Sequence, residues 1–388
     1  MSARQPKPWT EIGGSRVIED WRDNPELDRL QLHLEPATIA HGPRLNALFN
    51  EVFQRSRSIE EWRWKNLEHP NANLSWNHLA VTPDDRVVAQ YGNLPLILRL
   101  NGEVHLGAQQ ADNLVHSDYR QGGVVHRVLM RTTVLRGPTQ HVYCSLGFPN
   151  REAYLVGKRL MRYQDLCKIQ RLRQRISLAR AARERIRPNR GTLPAVKMLS
   201  ASSRLAASIG ASLSTAVRGA GIRIEVLSEA PSQMDELWNR TRPQIAMAEH
   251  RCSRWLHWRY FSSPRTDYRV LGAWRAEELL GIAVVRPPES FSSGVASCYL
   301  MDLVAVDGAE APLLHEVRKL AARLGGDELI AWDSPGNPYR DAMLGHGYQA
   351  FGDPLRVVYW LHAKYPLDPE DFGKASNWYL TAGTGDDL

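Results

Sequence analysis

Apolar residues along this chain alternate in short runs and recur at helical spacing in longer ones. Leu30, Leu32 and Leu34 alternate with polar neighbours, as a half-buried strand does. Over residues 42–53, Leu45, Leu48, Phe49 and Val52 fall on one helical face. A second helix is expected from Ser58, with Glu60 and Glu61 in the first turn where the helix dipole favours acids, then Trp62, Trp64 and Leu67, and a stop before Pro70. Strands at 78–81 and 86–100 are joined by the Asp84-Asp85 turn, and Asn101-Gly102 predicts a hairpin into a third strand that reaches Asp112 and closes with Leu114 and Val115. Asp118 to Gly123 cannot hold regular structure, after which a helix is expected over 124–135, stopped by Gly137-Pro138. Residues 142–147 read as a buried strand, and Ala153, Tyr154, Val156 and Leu160 as a further helix. Strand, two helices, three antiparallel strands, glycine turn, helix, strand, helix is an α+β order.

The second half restarts this plan. Strands are expected at 222–227, 268–272, 281–285 and 297–306, and helices at 233–241 and 252–261. Trp258-Arg259-x-x-x-x-Pro264 repeats Trp64-Lys65-x-x-x-x-Pro70 at an offset of 194 residues, Asp302 follows Asp112 by 190, and Asn337 follows Asn150 by 187. A near-constant offset over several elements signals a duplicated domain. The expected organisation is an N-terminal arm (1–28), a first domain (29–165), a basic and helical linker (166–220), a second domain (221–363) closed by the strand at 357–361, and a tail (364–388) that carries Trp378-Tyr379-Leu380-Thr381.

At 388 residues the chain can bury two cores, and its 43% hydrophobic content is that of a globular protein. No run approaches the ~20 apolar residues of a membrane span, and the four cysteines lie far apart without metal-site or disulfide spacing, so a cytoplasmic protein with reduced thiols and no metal is expected. Nine of the cations behind the net charge of +7 lie between Lys168 and Arg190, against one acid, Glu184. No aromatic residues interleave them for base stacking, which favours a solvated linker over a nucleic-acid surface. Downstream, Leu199, Leu205, Ile209, Leu213 and Val217 form an amphipathic stripe. Hydrolase elbows, Walker loops, metalloprotease helices and dinucleotide fingerprints are absent from the sequence.

The chemistry concentrates in the glycine turn. A strand, glycine turn and helix start leave backbone N–H groups converging at the positive end of a helix dipole, a corner suited to phosphate. Arg120-x-x-Gly123 resembles the pyrophosphate loop of the GNAT (Gcn5-related N-acetyltransferase) superfamily, and the Val115-x-x-x-Tyr119-Arg120 spacing is similar to that family's. Val125 departs from the pattern, which has Gly or Ala there; a β-branched side chain is expected to narrow the space for the pyrophosphate. The resemblance extends to Trp64-Lys65-x-x-x-x-Pro70 and to Gly147-Phe148-Pro149-Asn150 followed by Ala153, which look like bacterial GNAT-type proteins of polysaccharide and lipid-linked sugar pathways. It implies two tandem GNAT-like domains, each a mixed, mostly antiparallel sheet flanked by helices, with acyl-CoA (acetyl-CoA or a longer homologue) as co-substrate. Leu114, Val115, Arg120, Gln121, Gly122, Gly123, Val124, Val125 and Asn150 would contact the coenzyme, and backbone N–H groups near Val115 and His116 would polarise the thioester. The tyrosine that often serves the family as general acid, four residues after the motif's Ala, is Gly157 here.

For proton transfer, Asp112 is the candidate base, His116 a second acceptor and Tyr154 the candidate acid; the bland alternatives are a strand-end carboxylate, a surface histidine and a packed tyrosine. In the second half the corresponding turn lacks Arg-x-x-Gly and carries Asp307 and Glu310, which would repel a pyrophosphate. The expected activity is acyl transfer from coenzyme A to an amine, in preference to a hydroxyl, of a sugar, sugar-nucleotide or other small metabolite. Two alternatives stand beside it: an aminoacyl-tRNA-dependent transferase resembling the FemAB group, and a non-catalytic tandem GNAT-like binding protein. The acceptor and the oligomeric state are left open.

Overall fold

A computed structural model describes residues 25–73, 76–136, 142–160, 163–177, 198, 221–290, 295–361 and 369–385. In chain order the first half contains α1 (Pro25–Asp28), β1 (His33–Pro36), α2 (Gly42–Phe53), α3 (Ile59–Asn66), β2 (His78–Val81), β3 (Val87–Leu100), β4 (Glu103–Val115), α4 (Val124–Arg136), β5 (Cys144–Gly147), α5 (Arg151–Leu160) and β6 (Gln164–Arg175). The second half contains β7 (Arg223–Leu227), α6 (Met234–Arg240), β8 (Met247–Glu249), α7 (Ser253–Leu256) running into a π turn (His257–Phe261), β9 (Arg269–Arg275), β10 (Glu278–Ser290), β11 (Ala296–Ala305), α8 (Glu310–Arg323), β12 (Glu328–Asp333), α9 (Arg340–Gly345), β13 (Gln349–Ala350), β14 (Leu355–Leu361) and α10 (Pro369–Gly373).

The local signals act as chemistry requires. Ser58 Oγ accepts from the Glu61 N–H at 3.1 Å and caps α3. Asn101 and Gly102 both take positive φ, 50° and 91°, the backbone of a tight hairpin between β3 and β4.

The described chain divides into two compact units. The first holds the residues up to Arg99, Glu103–Leu166 and Arg356–Gly373; the second holds Leu100–Gly102, Cys167–Leu355 and the residues from Lys374 on. In the first unit β1, β2, β3 and β4 follow one another antiparallel, β4 pairs β5 in parallel, and β14 follows antiparallel to β5. In the second, β7, β9, β10 and β11 are antiparallel neighbours, β11 pairs β12 in parallel, and β6 follows antiparallel to β12. Both are mixed, mostly antiparallel sheets flanked by helices, an α+β architecture.

Two expectations about the chain's organisation are corrected here. Residues 164–175, expected as the end of the first domain and the start of a helical linker, are strand β6 of the second unit's sheet, and Leu166, Ile169 and Leu172 are buried. The strand at 357–361, expected to close the second domain, instead pairs with β5 in the first unit, Val358 opposite Gly147 and Trp360 opposite Ser145. Edge strands need partners for their N–H and C=O groups, and the partner need not be near in sequence. The arm's last turn, α1, is also more than decoration, since Leu27 is buried in the first unit's core. Residues 1–24 of the arm and the amphipathic stripe between Leu199 and Val217 lie outside the described residues.

Among the described residues, two of the three buried clusters of the first unit flank the end of β4. One joins Val115, Val125, Val128 and Leu129 to Tyr91, Tyr163 and Trp360; the other joins Leu114 to Leu45, Leu48 and Trp62 of α2 and α3. Alternation along β4 therefore sends neighbouring residues Leu114 and Val115 into different clusters.

Candidate active site

Strand β4 organises the site. Its parallel register with β5 consists of Ala108 opposite Ser145 and Gln109 opposite Leu146, and β4 then continues to Val115 while β5 ends at Gly147. Beyond the register lies Asp112, whose φ of 52° puts a residue with a side chain in the left-handed region and breaks the strand's pleat. Its buried carboxylate takes Arg57 Nη1 at 2.6 Å and Lys65 Nζ at 2.8 Å. Arg57 is itself fixed by Asn46 Oδ1 at 2.8 Å and lies 3.6 Å over the Phe49 ring. Burial by itself pushes the Asp112 carboxyl up, but the Lys65 ammonium and the Arg57 guanidinium more than reverse this and hold it at about 2. A carboxylate so clamped has little basicity at neutral pH. The expectation of Asp112 as general base is replaced by a structural role, pinning an unfavourable backbone conformation to α3.

His116 is not the surface residue its place before a glycine turn suggests. It is buried, Nε2 meets Glu51 Oε1 at 2.7 Å and Arg86 Nη2 at 2.8 Å, and Nδ1 accepts from the Asp118 N–H at 3.3 Å. Both ring nitrogens are engaged, which removes it as a proton acceptor for a substrate. Its backbone N–H donates to Val88 O at 2.8 Å, so that amide is taken by β3 and does not serve a thioester.

The turn after His116 is two successive 3₁₀ turns, Ser117–Tyr119 and Gln121–Gly123, leading directly into α4. Gly123 N–H closes the second turn on Arg120 O at 3.0 Å, and Arg120 Nε donates back to Val115 O at 2.8 Å, tying the loop to the strand end. Gly122 and Gly123 have φ of 68° and 65°, which glycine adopts at no steric cost. No atom lies within 4 Å of where a side chain on Gly123 would begin, and residues 120–123 are exposed. The thirteen-residue helix that follows leaves the N–H groups of its first turn without intrahelical acceptors. Val125 is 0% exposed and packs with Val115, Val128 and Leu129. The expectation that its β-branched side chain crowds the phosphate corner is thereby overturned: the side chain points into the core, leaving only its backbone at the corner.

On the other side of the split, Asn150 Oδ1 accepts from the Ala153 N–H at 2.9 Å and caps α5. The Tyr154 hydroxyl donates to Asp165 Oδ2 at 3.3 Å, and the ring lies 4.7 Å from the Arg356 guanidinium. These partners are exposed, so the candidate acid is spent on a surface contact. The position of Gly157 is covered by the Tyr163 ring, which a methyl there would overlap. Arg57, Tyr91, Gln110 and Tyr163 stand in no motif or periodic pattern that points to a site. Lys65 alone carried a signal, as part of the repeated Trp-Lys motif.

The second unit repeats the charge pair and fills its opening differently. Arg251 Nη2 meets Asp302 Oδ1 at 3.0 Å, a pair at the same offsets as Arg57 and Asp112. Beyond the β11–β12 register, which ends at Tyr299 opposite Ile330, the tail lies between the diverging strands. Tyr379 Oη donates to Leu303 O at 2.7 Å and the Leu380 N–H to Ser334 Oγ at 2.9 Å. Arg251 Nη2 also donates to Thr381 Oγ1 at 2.9 Å and Thr384 Oγ1 at 3.0 Å, while Arg259 Nη2 donates to Gly385 O at 3.0 Å. The Trp-Tyr-Leu-Thr tail thus plugs this unit. Its Asp307, expected to repel phosphate, is paired with Arg240 at 2.5 Å. Among the described residues, no group of three or more His, Cys, Asp or Glu side chains could hold a metal ion.

Residues 33–155 match the model of the Acetyltransferase (GNAT) domain. No curated protein matches the chain. Similar solved structures include a conserved protein of unknown function and probable N-acyltransferase from Enterococcus faecalis V583 (11% identity, 85% of this chain and 72% of that one, TM-score 0.58). A GCN5-related N-acetyltransferase from Anabaena variabilis is alike at 12% identity over 85% of this chain and 73% of that one, TM-score 0.58. The N-myristoyltransferase of Saccharomyces cerevisiae with bound myristoyl-CoA is alike at 11% identity over 94% and 90%, TM-score 0.55. At these identities the likeness is one of fold.

Proposed function

The chain belongs to the GNAT superfamily through its residues 33–155, and from that premise we propose that it is an acyl-CoA-dependent acyltransferase whose donor site lies in the first unit. It passes an acetyl or longer acyl group directly from the thioester to an amine, in preference to a hydroxyl, of a sugar or other small metabolite. The observation that carries this reading is the open corner at the N-terminus of α4: two exposed glycines, a first turn of helix amides, and Val125 turned away into the core. Arg120 stiffens that corner by its bond to Val115 O. From Gln110 onward β4 runs past its register with β5, and that edge is where an extended pantetheine arm would lie. Attack of the amine on the thioester carbonyl forms the C–N bond and breaks the C–S bond; the nitrogen gives up one proton and the departing sulfur takes one, through water, while the site's task is to hold donor and amine in line. In the second unit the tail occupies the corresponding split, which supports one donor site per chain.

Calorimetric titration with acetyl-CoA and myristoyl-CoA, followed by a panel of amino sugars and small amines monitored by thiol release, tests the proposal. One acyl-CoA bound per chain, with thiol release that depends on an amine, is the expected result. Absence of acyl-CoA binding alongside salt-sensitive tRNA binding would move the assignment to the aminoacyl-transferase reading. Binding without turnover across the panel would favour a non-catalytic role.

A further inference from the structure

The basic run that begins at Lys168 has no part in the donor site, and its opening stretch is strand β6. Alternation along that strand sends Leu172 and Gln174, both buried, to one face and Arg171, Arg173 and Arg175 to the other. Successive arginines of this row stand two residues apart, roughly 6.6 Å at 3.3 Å per residue. That is close to the step between neighbouring phosphates of an extended nucleic-acid strand. In the sequence, the lack of interleaved aromatic residues counts against a nucleic-acid surface. The fold supplies an aromatic from elsewhere: β13 pairs with β6, Gln349 lies opposite Arg173, and the Phe351 N–H donates to Arg171 O at 3.0 Å.

The Phe351 ring centroid lies 5.2 Å from the Arg171 guanidinium carbon and 4.8 Å from that of Arg173. Gly352 follows with a φ of 60°, and a methyl there would begin 2.6 Å from Arg171 Nη2, so glycine keeps the guanidinium's place clear. Arg171 Nε is buried, and among the described residues this guanidinium has its ring contact but no hydrogen-bond acceptor. A partly buried guanidinium without an acceptor carries a desolvation cost that a bound anion would offset. Among the described residues paired with the row, the one carboxylate is Glu328, opposite Arg175; it accepts from Ser297 Oγ at 2.7 Å and stands 3.9 Å from Arg173 Nη1. Three guanidiniums against one carboxylate leave this face cationic. Gln349 and Ala350 beside the row are exposed. The arrangement is a strip along the sheet, a shape that suits an extended polyanion better than a compact metabolite.

We propose that this strip binds a single-stranded nucleic acid through its phosphates, Arg171, Arg173 and Arg175 each taking one phosphate while Phe351 holds the first two guanidiniums in place. Arginine suits the task because its planar fork pairs with phosphate oxygens while its face rests on an aromatic ring. Every residue of the strip belongs to the second unit. The inference therefore goes beyond the acyl-CoA reading of the first unit and does not rest on it.

Fluorescence anisotropy of labelled oligouridylate and oligothymidylate, titrated with the full chain between about 50 and 200 mM salt, tests the strip. Both strands should bind, because phosphates rather than sugars are read, and affinity should fall as salt rises. Each phosphate contact on a single strand contributes about 0.7 to the slope of log affinity against log salt. Arg171→Ala/Arg173→Ala should therefore lower the magnitude of that slope by about 1.4 and weaken binding roughly tenfold or more. Arg254→Ala/Arg323→Ala removes two exposed arginines of the same unit and should change affinity by less than about twofold. Arg175→Glu, at an exposed position, should weaken binding at an unchanged melting temperature, which keeps the test decisive if the alanine pair fails to fold. Equal losses in the two double variants would reduce the strip to net charge and overturn the proposal. So would failure of both strands to bind, or tighter binding to phosphatidylglycerol vesicles than to either strand. Acetyl-CoA titrations should be the same in every variant, so that failure of the strip and failure of the donor-site reading are told apart.

Discussion

Asp112 shows how a single residue's surroundings decide its chemistry. At the C-terminal end of a cleft-facing strand it has the position of a general base, but Arg57 and Lys65 reach it from segments 55 and 47 residues away in sequence and convert it to an anchor. Held at about 2, the carboxyl lies below its ordinary value of 3.8. The depressed carboxyl contributes stability that is present above about pH 4 and lost as the pH falls through 2, on the order of 2 kcal/mol. Asp112→Asn leaves two buried cations without their anion, so the expected outcome is destabilisation by about 3–5 kcal/mol in chemical denaturation. Loss of turnover in the fraction that remains folded is expected to be minor. A variant with wild-type stability and no turnover would restore the residue to the reaction itself. The same lesson applies to His116, whose burial between Glu51 and Arg86 has no counterpart in the local sequence.

At the scale of the element, two splits between parallel strands have opposite fates. The one between β4 and β5 opens toward a glycine corner; the one between β11 and β12 is closed by the chain's own tail. Gly383 marks the closest approach, since a methyl there would overlap the Tyr260 hydroxyl and the Asp302 carboxylate. Gly383→Val should expel the tail, deprive Arg251 and Asp302 of their threonine partners, and uncover Trp378 and Leu380, both 0% exposed. Substantially faster cleavage of the tail in limited proteolysis and a lower melting temperature are expected; unchanged protection would show that the plug carries no such strain. The helices and turns themselves were legible beforehand, because the α3 cap at Ser58, the Asn101-Gly102 hairpin and the Gly122-Gly123 corner each depend on residues within a few positions of one another.

At the scale of the whole molecule, each sheet borrows its closing strand from the other half of the sequence. β14 completes the sheet of the first unit and β6 that of the second. Residues 29–220 expressed alone would leave β5 with an open edge and Tyr163 without Trp360, so that fragment should aggregate, and co-expression with 221–388 should recover soluble protein. A soluble, monodisperse fragment 29–220 would contradict this account of how the sheet is completed.

What the sequence by itself determined is everything whose cause is local or periodic. That covers the order of strands and helices, the glycine corner, and the repeated Trp-Lys and Trp-Arg motifs with their near-constant offset. Tertiary structure alone decided which strands complete which sheet, that Val125 faces the core rather than the phosphate corner, that Asp112 and His116 are saturated with partners, and that Tyr163 lies over Gly157. Except for Tyr163 over Gly157, six positions apart, these depend on contacts between residues tens to more than two hundred positions apart, and burial and charge pairing at such distances leave no periodic trace along the chain.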